Sequence, residues 1–130
     1  MTVKATEADI ATFRAACPPN IPESFIDFHQ RHGALQRDIE NSGHGFVFLW
    51  NLNEVLTFSR EYGFDEFVPG LLGIGSDGGG GLYALDLRGG PDCPVGVFDA
   101  ICLEYEHFLV IDRSFPDFAE RLLRGVPYFG

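Results

Sequence analysis

Leu71-Leu72-Gly73-Ile74-Gly75-Ser76-Asp77-Gly78-Gly79-Gly80-Gly81-Leu82-Tyr83-Ala84-Leu85-Asp86-Leu87 is the stretch on which the fold turns. Gly73 to Gly78 spells G-x-G-x-x-G. In a dinucleotide-binding unit that spelling opens a helix, whose N-terminus holds the pyrophosphate. Here it runs into further glycines, each costing a helix about 1 kcal/mol relative to alanine. A strand-like run follows, Leu82 to Leu87. The stretch therefore reads as two short strands joined by a glycine-rich turn, with glycines free to take positive φ.

Outward from this hairpin, the C-terminal half reads as sheet. Arg88 to Pro94 is a second turn, and Val95-Gly96-Val97-Phe98 a third strand. Cys102 to Asp112 alternates in part, with Leu103, Tyr105 and His107 opposite Glu104 and Glu106, and reads as a further strand. Ser114 is placed to cap a last helix with Pro116 and Asp117 in its first turn and Phe115, Phe118, Leu122 and Leu123 as its apolar stripe. Gly125 and Pro127 stop it.

Upstream, Thr6-Glu7-Ala8-Asp9 forms a capping box with Asp9 at N3. Ile10, Phe13 and Cys17 follow at helical spacing, and Pro18-Pro19 ends the helix. A second helix starts at Pro22 with Glu23 in its first turn. It carries Phe25 and Phe28 as its buried stripe, with Ile26 on the margin, and ends at Gly33 as C′. Asn41-Ser42-Gly43 is a turn signal between a weakly patterned Ala34–Glu40 and the strand-forming run Phe46 to Trp50, apolar enough to be buried on both faces. Asn51 or Asn53 caps a third helix with Leu52, Val55, Leu56, Ser59 and Tyr62 on one face, ended by Gly63. Phe64 to Gly70 reads as a loop. Short connections favour antiparallel pairing. The expectation is a single α+β domain over residues 1–130, a mainly antiparallel, bent sheet flanked by about four helices.

Composition narrows function. Nine Lys plus Arg face nineteen Asp plus Glu, a net charge of −10. Nucleic acid and anionic membrane surfaces would repel such a chain, whereas a basic partner would be steered towards it. Met1 to Phe13 has one lysine, two acids and no apolar core, so no signal peptide is expected. No apolar stretch approaches the roughly twenty residues a membrane span needs. A cytoplasmic protein is the expectation. Cys17, Cys93 and Cys102 show no metal-ligand spacing, and neither a disulfide framework nor a zinc site follows.

Other chemistry has plainer readings. His29 and His32 lie three apart on one helix face, as two metal ligands would, but H-E-x-x-H is absent and half-buried histidines account for them. Cys17 and Cys102 read as small core residues. Asp77, Asp86, Asp99 and Asp112 fall near strand ends, where aspartates bond their own backbone. A small-molecule site beside Asp77 would need a deep cleft with converging polar groups. Trp50, in the most apolar run, reads as core. Tyr128 and Phe129 could dock on the domain or on a partner. No metal, cofactor or catalytic constellation is expected.

The ordered set of motifs resembles the SUKH superfamily, which includes the Smi and Knr cell-wall regulators and many bacterial immunity proteins. Ile21-Pro22-Glu23-Ser24-Phe25 with Phe28 resembles its opening helix. Phe48 to Val55 resembles its strand-to-helix step, and Leu72 to Gly80 with Tyr83 to Asp86 its glycine-rich hairpin. Pro94-Val95 with Phe98 resembles its next strand, and Ser114 to Leu122 its closing helix. The chain departs from the family's habit at His32-Gly33, often Asn-Gly, and at Gly81, often acidic or amide. The resemblance implies helices around a strongly bent sheet and no enzymatic activity. It implies either an immunity protein that binds and neutralises a cognate toxin domain, such as a nuclease or deaminase, or a regulatory scaffold without a toxin partner. Exposed acids are the candidate contacts: Asp38, Glu40, Asp65, Glu66, Asp77, Asp92, Glu104 and Glu106.

Overall fold

The computed structural model describes residues 4–38, 46–88, 92–99 and 101–124. Its elements are α1 (Glu7–Ala16), α2 (Glu23–Arg31), β1 (Gln36–Asp38), β2 (Phe46–Leu49), α3 (Leu52–Glu61), α4 (Phe64–Phe67), β3 (Leu71–Ser76), β4 (Gly81–Asp86), β5 (Val95–Asp99), β6 (Leu109–Asp112) and α5 (Phe115–Arg124). The six strands form one sheet in sequence order, every neighbouring pair antiparallel. Register shifts at Gly73/Gly75 and at Val95/Gly96 interrupt the regular ladder, as bulges that bend a sheet do.

Local rules account for most boundaries. Thr6 and Asp9 cap α1 reciprocally, Thr6 Oγ1 accepting from Asp9 N at 3.1 Å and Asp9 Oδ2 from Thr6 N at 3.0 Å. Pro22 stands one residue earlier than expected, at the N-cap of α2. Gly33 follows that helix with φ +73°. Ser114 Oγ accepts from Asp117 N at the start of α5. The Arg14 guanidinium bonds both Glu23 carboxylate oxygens and ties α1 to α2.

Period-two alternation sorts the central strands onto two faces. Leu72 and Ile74 of β3, Tyr83 and Leu85 of β4, and Val95 and Val97 of β5 face the main core. There they meet Phe13, Phe25, Phe28, Leu52, Val55, Phe115, Phe118 and Leu122 from α1, α2, α3 and α5. Ile26, placed on the margin of its helix by the sequence, is buried too, whereas Leu123 is exposed. On the other face Leu71, Leu82, Ala84 and Phe98 meet Phe64, Val68 and Leu103. The sheet is thus covered on both sides, the second cover being α4 and the segment around Leu103.

That second cover corrects two expectations. Phe64 to Gly70 is not simply a loop: Glu66 N and Phe67 N bond the Gly63 carbonyl at 3.1 and 2.9 Å, closing one helical turn with Phe64 fully buried. Cys102 to Asp112 is not one strand. Asp99 Oδ1 accepts from Ile101 N, Leu103 is buried, Tyr105–His107 forms a 3-10 turn, and strand geometry resumes only at Leu109. Tyr105 Oη donates to the Pro69 carbonyl at 2.6 Å, and the Arg88 guanidinium sits 4.5 Å above the Tyr105 ring. These long-range anchors outweigh the local alternation, and Cys102 lies half-buried in this segment. The expected turn at Asn41-Ser42-Gly43 and the stops at Gly125 and Pro127 lie outside the described residues, as do Tyr128 and Phe129.

Candidate protein-binding groove

The glycine-rich hairpin holds its own polar groups. Asp77 Oδ1 accepts from Gly79 N at 2.8 Å and Gly81 N at 2.9 Å, an Asx-type turn. The two leading glycines serve packing: a Cβ on Gly73 would lie 2.8 Å from the Phe64 ring, and one on Gly75 would lie 2.4 Å from the Phe48 carbonyl oxygen. The segment opens no helix, so the phosphate-binding geometry of the fingerprint is not formed.

The other reactive side chains also have structural roles. His29 is 1% exposed, its ring edge-on to Phe25 at 4.8 Å, and burial holds its imidazole down to about 4. Its neighbour His32 packs on Phe28. Cys93 is buried, and desolvation, with Asp86 and Asp92 adding to it, pushes its thiol up, away from a nucleophilic thiolate. Asp112 pairs with Arg121, both side chains 11% exposed, tying β6 to α5.

One face gathers large exposed side chains. The C-terminal end of α3, α4 and the Ile101–His107 segment bring large apolar groups to the surface: Tyr62 is 45% exposed, Phe67 56% and Ile101 88%. With Cys102, Leu103 and Glu104 they line a depression of about 220 Å³. Tyr62 also borders a second depression of about 310 Å³, walled by Trp50, Phe58 and Glu61. The two form a groove with Tyr62 between them. Trp50 is only half-buried: its N–H continues the ladder to the Ile74 carbonyl at 3.0 Å, and its indole packs on both cores with part of its surface.

Two acids line the groove, Glu61 in one depression and Glu104 in the other. On α4, Glu66 is exposed, and Asp65 lines a different depression with Pro69 and Arg88. Ligand atoms of Glu104, Glu106 and His107 lie within 4.8 Å of one another, all three residues exposed. Arg60, 3.8 Å from Asp65, offsets part of this charge. The segment carrying Glu104 is held in place from below. Asp86 bonds Arg88 through Arg88 N, Nε and Nη2, and Arg88 in turn covers Tyr105. Burial alone would raise the Asp86 carboxyl, but the Arg88 bonds outweigh it and keep the group below the usual carboxylate range.

Of the eight candidate acids, Glu104 lines the groove and Glu106 lies close to it, whereas Asp65 lines a different depression with Pro69 and Arg88, and Glu66 is exposed on α4. Asp77 serves its turn. Asp92 is exposed in the β4–β5 connection, at the opposite end of β4 from Asp77. Asp38 lies at the end of β1, an edge strand, and Glu40 lies outside the described residues. The acid positions were accessible to sequence reasoning; the aromatic wall was not. Phe58 and Tyr62 are four apart on one helix, but Trp50 meets them from the end of β2, which no spacing within the helix foretells.

Among the described residues no helix is long and apolar enough to cross a membrane. No curated protein matches the chain. Residues 4–121 match the sequence model of the SMI1/KNR4 family (SUKH-1). The match runs from before α1 into α5 and takes in all six strands and both covers of the sheet, and the chain belongs to the SMI1/KNR4 (SUKH-1) family.

Proposed function

We propose that this chain is an immunity protein, which in the cytoplasm binds a cognate toxin domain and neutralises it by protein–protein contact. One observation carries the reading: an exposed aromatic and apolar groove lined by Glu61 and Glu104, on a family member with a net charge of −10. Large exposed rings beside carboxylates are the makings of a hot spot for a basic surface. Long-range attraction would speed docking, and the rings would hold the complex once formed. The toxin's active site or substrate groove would then be covered, with no chemistry required of the chain.

The test has two steps. Tagged protein is used to retain its partner from the native host, and the toxin domain so identified is co-expressed with the chain. Growth rescue is the expected result; retention of housekeeping or cell-envelope proteins alone would move the reading to a regulatory scaffold. Charge reversal at Glu66, Glu104 and Glu106 together should then slow association about tenfold at low salt and flatten its salt dependence. An unchanged on-rate in stopped flow would remove the electrostatic part of the mechanism.

A further inference from the structure

Trp50 is the sole tryptophan of the chain. Its ring is parallel to Tyr62, with 1° between the planes and centroids 5.6 Å apart, and edge-on to Phe58 at 5.4 Å. With Glu61 these three rings enclose the depression of about 310 Å³. Glu61 is exposed and forms no ion pair among the described residues, since its neighbour Arg60 is directed to Asp65. The pocket is therefore aromatic on its walls and anionic at one point.

That combination selects its occupant. Ring faces carry negative potential and attract a cation, the more strongly when water is displaced. An anion would meet the Glu61 carboxylate. A purely aliphatic side chain would cover the rings but strip water from that carboxylate without replacing its hydrogen bonds. A lysine ammonium brings charge but is compact and strongly hydrated. A guanidinium is flat and weakly hydrated. It stacks on rings and forks two N–H groups onto a carboxylate.

The geometry points to a recognition pocket for an arginine side chain of the protein partner, its guanidinium against the Trp50, Phe58 and Tyr62 rings and hydrogen-bonded to Glu61. This rests on the reading of the chain as a protein-binding module and gives that module a residue-level specificity. The adjoining apolar stretch over Phe67 and Ile101 takes the side chain flanking the arginine. In a partner that acts on a nucleic acid, surface arginines of this kind grip phosphates, so sequestering one would also remove a substrate contact.

Trp50 reports on its own pocket. Intrinsic fluorescence of the full chain is followed while Nα-acetyl-arginine amide is added, with Nα-acetyl-citrulline amide, the neutral isostere, as the comparison. A saturable change in the millimolar range is expected with arginine, and binding about tenfold weaker or absent with citrulline. Glu61→Gln, at an exposed position that leaves the fold intact, should weaken the arginine derivative about fivefold to tenfold. Tyr62→Ala should abolish saturation while Trp50 still emits. A linear, unsaturated drift would overturn the proposal, as would equal affinity for citrulline or indifference to Glu61→Gln. No toxin enters this titration, so its failure leaves the immunity reading standing, and failed growth rescue leaves the pocket standing.

Discussion

Gly75→Ala should destabilise the chain by about 3 kcal/mol, at the upper end of what overpacking costs. One methyl group has this effect because of what it meets. A Cβ at Gly75 would lie 2.4 Å from the Phe48 carbonyl oxygen and 3.1 Å from the Leu49 Cα, both backbone atoms of β2. No rotamer change relieves such a contact, and β2 would have to move away. β2 pairs with β3 at Phe48↔Ser76 and Leu49↔Gly75, continued by Trp50 N–H on the Ile74 carbonyl at 3.0 Å, so the strained pair lies in the middle of a short ladder. Displacing β2 also disturbs Val47 and Leu49 in the main core. For a chain of this length the melting temperature should fall by about 10 °C. Gly80→Ala is the internal comparison: its Cβ would meet nothing within 4 Å, and its effect should stay within about 0.5 kcal/mol. If the two variants melt together, the close approach of β2 to β3 is wrong.

The same glycines show where sequence reading succeeds and where it stops. G-x-G-x-x-G was separable from a dinucleotide site because the rules that exclude it are local: glycines start helices poorly, and strand formers follow. The reason for Gly73 and Gly75 was not legible. It lies in Phe64 and Phe48, which the fold delivers from α4 and β2. The helix caps at Thr6 and Ser114 and the stop at Gly33 were legible for the same local reason. α4 was not, because four residues hold too little of a helical period to be told from a loop. The Cys102–Asp112 segment misled because its alternation was real but weaker than the Tyr105–Pro69 hydrogen bond, which spans 36 residues of sequence.

The candidate site divides along the same line. Exposure of an acid in a polar segment is close to a composition property, so Asp65, Glu66, Glu104 and Glu106 could be named in advance. Which of them meets the groove depends on the packing of the Leu103 segment against α4, which no window of sequence contains: Glu104 lines it, whereas Asp65 lines another depression. Trp50 shows the converse. Its apolar neighbours argue for core, yet it stands where β2 gives way to α3, its N–H still on the Ile74 carbonyl, and its half-buried ring forms the wall of a pocket. Burial of a residue at the end of an element is set by where the element stops, which is the least certain quantity in any pattern-based reading.

His29 should make the fold acid-sensitive across a window that its neighbours cannot explain. Its side chain is buried, its Nε2 has no hydrogen-bond partner among the described residues, and it packs against Phe25 and Phe28. Burial depresses its folded-state value from 6.5 to about 4. The neutral form is therefore the one the native state accepts. Above about pH 6.5 both folded and unfolded chains carry neutral imidazole, and the native state bears no penalty. As pH falls from there towards about 4, the unfolded chain binds a proton that the folded chain refuses, so stability is lost progressively, by about 3 kcal/mol in all. Below that range the folded imidazole protonates too and the contribution levels off. Acid also neutralises carboxylates of a chain with a net charge of −10, which relieves self-repulsion and acts in the opposite direction. A comparison with His29→Met cancels that background, because both proteins carry the same acids. Across urea unfolding curves measured at steps from pH 7.5 to pH 4, the stability difference between the two proteins should change by about 3 kcal/mol, the wild type losing that much more than the variant. Parallel curves for the two proteins would mean that His29 is hydrated or partnered in solution, and that the Phe25–Phe28–His29 cluster is not the dry core described here.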